Sequence, residues 1–188
     1  MSLFSHQRDL AALVQQRPRL LLNVEMGTGK TRAMLAAIDE AKALPVLILA
    51  KLSTIQQAWV VDYHALDCKF RMEVAIGSPK EKRLKVLRRA YEGEVDAVVM
   101  GWEAAYATPE IFQVPWEWLI GDESTTIKAL PLRKQGKLSK YFIKLSGQIP
   151  RVHMMSGEPA PASRMDYYSQ IQCVNPTAFP PSATAFRL

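Results

Sequence analysis

Leu20-Leu21-Leu22-Asn23-Val24-Glu25-Met26-Gly27-Thr28-Gly29-Lys30-Thr31 runs from an apolar stretch through two glycines to a lysine and a threonine, and an alanine-rich segment follows. The reading is strand, glycine loop, helix. In that context glycines let backbone N–H groups turn toward phosphate oxygens, and the helix N-terminus adds positive potential. Lys30 is then placed for β and γ phosphates and the Thr31 hydroxyl for Mg²⁺. The strict pattern has glycine where Val24 stands. A glycine turn carrying a solvated lysine is the competing, purely structural reading.

Outward from this loop, short β-branched or leucine-rich runs alternate with segments of helical period. That alternation argues for an α/β chain with a mostly parallel central sheet flanked by helices. Strands are expected near Leu20 to Val24, Pro45 to Ala50, Phe70 to Ile76, Asp96 to Met100, Trp118 to Asp122 and Val152 to Ser156. Helices are expected over Ser5 to Gln16, Lys30 to Leu44, Thr54 to Leu66, Pro79 to Tyr91, Lys137 to Gln148 and Ser163 to Cys173. In open α/β sheets ligands bind beyond the carboxyl ends of the strands, so the chemistry should follow strands. Asn175-Pro176 and Pro180-Pro181 break regular structure near Leu188, where the chain looks cut rather than finished.

With 188 residues the chain holds one domain, 1–188, on the usual scale of roughly 100 to 200 residues per domain. Hydrophobic residues at 48% and charged residues at 22% match soluble globular averages, which excludes a disordered or collagen-like chain. No apolar run approaches the roughly 18 residues of a membrane helix. The start, Met1 to Arg8, lacks the features of a secretory signal. A cytoplasmic protein with no membrane partner is expected. Cys68 and Cys173 stand far apart, and although His64 lies one helical turn before Cys68, no second pair completes a zinc set. Lys and Arg number 24 against 18 acidic residues, for a net charge of +6. This balance is compatible with nucleic-acid contact and equally with a basic surface kept for solubility.

Further along, Trp118-Leu119-Ile120-Gly121 delivers Asp122-Glu123 at an expected strand end. Of two adjacent carboxylates there, the first can hold Mg²⁺ and the second can orient and deprotonate an attacking water. Alone, such a pair is a common loop feature. About ninety residues after a glycine loop of this kind, the chemical reading gains weight.

With both motifs in place, the chain resembles, over nearly its whole length, the first RecA-like domain of superfamily two helicases. Within that superfamily it looks most like the Swi/Snf-type translocase branch with its short phage and bacterial versions. His6-Gln7 looks like the glutamine motif, Glu25 to Thr31 like motif I, Leu47 to Leu52 followed by Trp59 like motif Ia, and Val98 to Glu103 like the next strand-end motif. Asp122 to Lys128 resembles motif II, Met155 to Pro159 motif III, and Tyr167 to Phe179 the helix and Asn-Pro turn after it. The resemblance implies a RecA-like P-loop fold and ATP with Mg²⁺ as cofactors. Gln7 would read the adenine edge, and Met26, Gly27, Thr28, Gly29, Lys30 and Thr31 would cradle the nucleotide. Thr31 and Asp122 would hold the metal, Lys30 would stabilise phosphate charge, and Glu123 would activate water. Lys51, Ser53 and Trp102 would meet the nucleic-acid backbone, Trp102 being equally readable as core, and Ser156 and Gly157 would couple the sites. The implied partners are DNA, double-stranded favoured over single-stranded, and a second RecA-like domain in cis or in trans that brings arginines to the γ-phosphate. No second domain fits in 188 residues, and after motif III only Arg164 and Arg187 remain.

Several positions depart from the family pattern. Lys51 stands for proline, Thr125 for the histidine of motif II, Glu158 for a threonine and Ala162 for an asparagine. Two basic clusters, Lys80 to Arg89 and Arg133 to Lys144, read as solvated helix faces. His64, His153, Trp116 and Trp118 read as structural. Two rival functions stay open: a compact P-loop kinase or nucleotidase, and a non-catalytic DNA- or partner-binding module with a relic ATP site.

Overall fold

Strands that are apolar at every position need helices on both faces, and the chain supplies them. The computed structural model describes residues 3–41, 43–77, 79–127, 133–158 and 166–178. Its strands are β1 (Arg19–Asn23), β2 (Val46–Ala50), β3 (Met72–Val74), β4 (Ala97–Gly101), β5 (Trp118–Gly121) and β6 (Arg151–Ser156). They form one sheet in the order β1-β6-β5-β2-β4-β3, with every pair parallel. All five residues of β2 and of β4 are buried, as a parallel sheet covered on both sides requires.

The helices are α1 (Ser5–Gln16), α2 (Lys30–Glu40), α3 (Leu52–Thr54), α4 (Val61–Leu66), α5 (Lys80–Tyr91), α6 (Trp102–Tyr106), α7 (Arg133–Ser146) and α8 (Asp166–Val174). A π-helical stretch, Ile55–Val60, joins α3 to α4. On one face Val46, Ile48, Val99, Ile120 and Met155 pack with Ala11, Val14, Leu35, Ile38, Ile55 and Trp59. On the other, Leu47, Leu49, Val98, Met100, Leu119 and Met154 pack with Leu87, Trp102, Phe142 and Leu145. Alternate strand residues thus feed two cores, although β2, β4 and β5 do not alternate in polarity.

Several boundaries differ from expectation. Helix α2 stops at Glu40 rather than Leu44 because Ala41 is already extended, and Pro45 disfavours helix at the residue before it. Strand β3 is shorter than Phe70 to Ile76. It lies at the sheet edge, where Arg71 N–H bonds the Asp96 carboxylate. Helix α6 and the 3-10 turns at Pro109–Gln113 and Ser124–Ile127 were not expected. Helix α7 starts at Arg133 rather than Lys137, and the expected start of α8 at Ser163 lies outside the described residues. No helix among the described residues is long and apolar enough to cross a membrane.

Candidate functional site

Parallel strands in register end at one edge, and the register here aligns Asn23 with Ser156, Gly121 with Met154, Leu49 with Gly121 and Ala50 with Gly101. The glycine loop, the Asp122-Glu123 turn, Gly157, Lys51 and Trp102 therefore all begin at the carboxyl edge of the sheet. This is where the sequence reading placed the chemistry.

The glycine loop is braced from inside. Gly29 has φ +81°, and a Cβ there would collide with the Gln7 amide nitrogen, so glycine is required by both backbone and space. Gln7 Nε2 donates to Thr28 O (3.1 Å), and its Oε1 accepts from Phe4 N (3.1 Å). At 4% exposure the side chain is buried with both ends of its amide committed to the chain. In this structure Gln7 braces the loop, as a buried amide that must find partners for its own donors and acceptors does. His6 Nε2 lies 3.0 Å from the same Thr28 carbonyl, and Thr28 Oγ1 donates to Glu25 O (2.8 Å).

Lys30 is the buried N-terminal residue of α2. Its ammonium donates to Val24 O (2.7 Å) and Glu25 O (3.0 Å), folded back over the loop it starts from. Gly157 closes over the same place: a Cβ on it would lie 2.9 Å from Met26 Cγ and 3.8 Å from Lys30 Nζ. Motif III thus touches motif I directly, and Val24 N–H donates to Ser156 O (3.3 Å). Ser156 Oγ accepts from Glu158 N (3.1 Å), so the residue replacing threonine is anchored through its backbone. Met26 itself is 72% exposed, an apolar side chain on the rim of the loop.

Asp122 is 6% exposed at the end of β5. Its Oδ2 accepts from Trp59 Nε1 (3.0 Å) and its Oδ1 from Glu123 N (3.1 Å), while its backbone carbonyl accepts from Trp102 Nε1 (3.0 Å). Burial raises the carboxyl above the ordinary aspartate range. The Trp59 N–H opposes that rise, the Glu123 carboxylate adds to it and the Lys30 ammonium opposes it. Glu123 sits at φ +50°, a left-handed conformation that costs a non-glycine residue about 1 to 2 kcal/mol and that clusters at functional sites. Its carbonyl is caught by Thr126 N–H (3.0 Å) and the Thr126 hydroxyl (2.9 Å), and its carboxylate faces Lys51 Nζ at 3.9 Å. Next to it, buried Ser124 donates to Gln170 Oε1 (2.6 Å), linking the turn to α8.

Of the expected nucleic-acid contacts, Lys51 at the N-cap of α3 and Ser53 within α3 are exposed just after β2. Trp102 is not: it is 1% exposed, edge-on to Phe142 at 4.9 Å, with its N–H spent on Asp122. Of the two readings left open for Trp102, contact with nucleic acid or core, the structure has the core residue, because a large indole with a polar partner inside gains by burial. Trp116 and Trp118 are core, and so is His153, whose imidazole pKa is pushed down to about 3 by burial and then by Arg151 and Arg19. Lys128 lies outside the described residues. The roles of Trp59 and Gln170 were missed. Their signal, a tryptophan and a glutamine inside apolar helical runs, is shared by ordinary core positions.

No family model matches the chain. Protein p41 of Acyrthosiphon pisum secondary endosymbiont phage 1 is 28% identical over 155 residues, covering 77% of this chain and 33% of the phage protein. A SWI/SNF-related matrix-associated actin-dependent regulator of chromatin subfamily A-like protein 1 from Drosophila melanogaster is 24% identical over 172 residues, 90% of this chain and 21% of that protein. The chain therefore spans a third or less of the length of these relatives. Among solved structures, the Sulfolobus solfataricus SWI2/SNF2 ATPase core in complex with dsDNA superposes with a TM-score of 0.81 at 20% identity, over 100% of this chain and 38% of that one. The UvsW helicase of bacteriophage T4 superposes at 0.68 with 16% identity, over 93% and 58%. The fold is RecA-like, and the resemblance to the first RecA-like domain of Swi/Snf-type proteins holds in sequence and in structure.

Proposed function

We propose that this chain is the ATP-binding, N-terminal RecA-like domain of a helicase-like, DNA-dependent ATPase, which couples ATP hydrolysis to movement on double-stranded DNA when joined to a second RecA-like domain. The observation that carries this reading is the convergence of three turns, around Lys30, Asp122 and Gly157, on one edge of a parallel sheet. A compact kinase gives no reason for Gly157 to lie against the Lys30 ammonium.

In this reading Lys30 leaves the Val24 and Glu25 carbonyls for the β and γ phosphates, and the loop amides share that charge. Thr31 and Asp122 are the residues that would hold Mg²⁺. They are hard oxygen donors, and so sparse a protein set suits an ion that keeps waters and phosphate oxygens as its other ligands. The ion, when bound, supplies charge neutralisation on the phosphates. Glu123, oriented by its left-handed backbone, is the base for the attacking water. Lys51 and Ser53 meet DNA phosphates from the start of α3, just after β2. Ser156 and Gly157 transmit the state of the nucleotide loop to motif III. The setting is the cytoplasm of a bacterial or phage-infected cell.

Two measurements test the reading. Calorimetry of residues 1 to 188 with Mg²⁺ and ATP should show binding. Turnover by this chain should be poor and little stimulated by DNA, since arginine fingers are worth about 10³ to 10⁵ in other nucleotide hydrolases. A downstream RecA-like half in cis or in trans should restore DNA-stimulated hydrolysis. Absence of ATP binding refutes the reading. Robust DNA-stimulated turnover by the monomer refutes the division between two domains.

A further inference from the structure

Asp122 is held by two indoles that approach from opposite sides of the sheet. Trp102 belongs to the core on one face and Trp59 to the core on the other. They do different work. Trp102 donates to the backbone carbonyl of Asp122 and so fixes where the residue sits. Trp59 donates to the carboxylate oxygen Oδ2 at 3.0 Å and so fixes how the carboxylate is turned, while Glu123 N–H holds Oδ1 at 3.1 Å.

We propose that Trp59 is a positioning residue that presets the Asp122 carboxylate for a divalent cation, an inference that rests on the Mg²⁺–ATP reading of the site. Three features carry it. First, an indole N–H is a donor only, so it can orient the carboxylate without competing as a ligand. Being uncharged, it also leaves the negative charge intact, which a lysine or arginine in its place would neutralise. Second, a carboxylate has about four acceptor positions. Trp59 and Glu123 N–H take one on each oxygen, leaving one on each for a cation or its water. Third, Trp59 leaves the chain from the π-helical stretch Ile55–Val60, inserted between α3 and α4. Such widened turns are rare and concentrate at functional sites. Here the widened turn sets the direction in which residue 59 leaves the helix, and the indole, fully buried, ends on Oδ2.

The test compares Trp59→Phe with Trp118→Phe. Phenylalanine keeps an aromatic ring in the core at residue 59 and removes the N–H from Oδ2. Trp118 is equally buried, on β5 itself, and its indole N–H has no hydrogen-bond partner among the described residues, so it controls for the loss of a core indole. ATP affinity is measured on residues 1 to 188 with and without Mg²⁺. Groups that orient metal ligands typically contribute 10- to 100-fold in metal affinity. Trp59→Phe should therefore lower the Mg²⁺ enhancement of ATP binding about tenfold or more and leave Mg²⁺-free binding within about twofold, while Trp118→Phe keeps the full enhancement. A second readout uses the unaltered chain: in a ¹H–¹⁵N correlation spectrum, the indole resonance of Trp59 should move when Mg²⁺ is added to the nucleotide-bound protein. That readout stands even if Trp59→Phe does not fold. Full Mg²⁺ enhancement in a folded Trp59→Phe variant, or a Trp59 resonance indifferent to Mg²⁺, overturns the role of Trp59 while the reading of the site survives. If the unaltered chain shows no Mg²⁺ enhancement at all, the reading of the site falls and this proposal falls with it.

Discussion

The carboxyl edge of the sheet and the outer face of α5 are both polar, and they are built on opposite principles. Helix α5 carries many charges, and three of its basic residues are paired with nearby carboxylates. Lys80 pairs with Glu110 (2.6 Å), Arg88 with Glu92 (2.9 Å), Arg89 with Glu94 (2.9 Å) and also with Glu73, and Arg83 bonds the Thr108 hydroxyl (3.0 Å). Exposed pairs of this kind contribute little and are screened by salt beyond a Debye length. At the sheet edge Lys30 and Asp122 are buried and bonded to backbone and indole, and half-buried Glu123 is held on a left-handed backbone. Charge density is therefore a poor guide to chemistry in this chain. Desolvated polar groups with fixed partners are the better one.

The comparison is most strongly exposed to Glu123→Gln. In a two-domain protein that hydrolyses ATP, turnover should fall by about 10² to 10⁴ while nucleotide binding survives. Normal turnover would place the base elsewhere. Lys30→Ala comes next: loss of a charged donor to phosphate should weaken ATP binding by about 10- to 10²-fold in calorimetry, with folding nearly intact. Unchanged affinity would remove the phosphate role from the glycine loop.

A pH test asks whether acid sensitivity comes from the edge or from the sheet beneath it. His153 has a folded pKa pushed down to about 3, below the roughly 6.5 of an unfolded histidine. Between those values the unfolded chain binds the extra proton, so stability falls as pH falls, by about 1.4 kcal/mol per pH unit from this residue. Above that window it contributes no pH dependence. Denaturant titrations from pH 7 to 4 should show a shallower acid limb in His153→Leu. An unchanged limb would assign the sensitivity to carboxylates instead.

The smallest effects separate the two basic surfaces. Charge reversal at Lys51 should weaken DNA binding and lower the salt slope by about 1, whereas reversal at Lys82 on α5 should do less. The opposite order would make α5 the contact face. Arg88→Ala should leave the thermal midpoint unchanged within measurement scatter.

The glycine loop, the Asp-Glu turn and the alternation of strands and helices were legible because each is local. Gly29 is required by its own φ as well as by its neighbour, and six apolar runs separated by helical segments admit few sheets. The register of parallel strands then carried the motifs to one edge without further information. Residues that act across long sequence separations were not legible. Gln7 meets Thr28, Trp59 meets Asp122, and Ser124 meets Gln170, at separations of 21, 63 and 46 positions. Their identities also suit any ordinary core or helix face. Trp102 shows the same limit from the other side, since a tryptophan after a strand looks alike in sequence whether it faces DNA or Phe142. Sequence alone determined the six strands, most of the helices and which turns follow the strand ends, because propensity, glycine conformation and apolar period act over a few residues. The tertiary structure alone decided which buried donors hold the side chains of those turns in place. A hydrogen bond between distant segments exists only once both cores have closed around the sheet and excluded the water that would otherwise satisfy each partner.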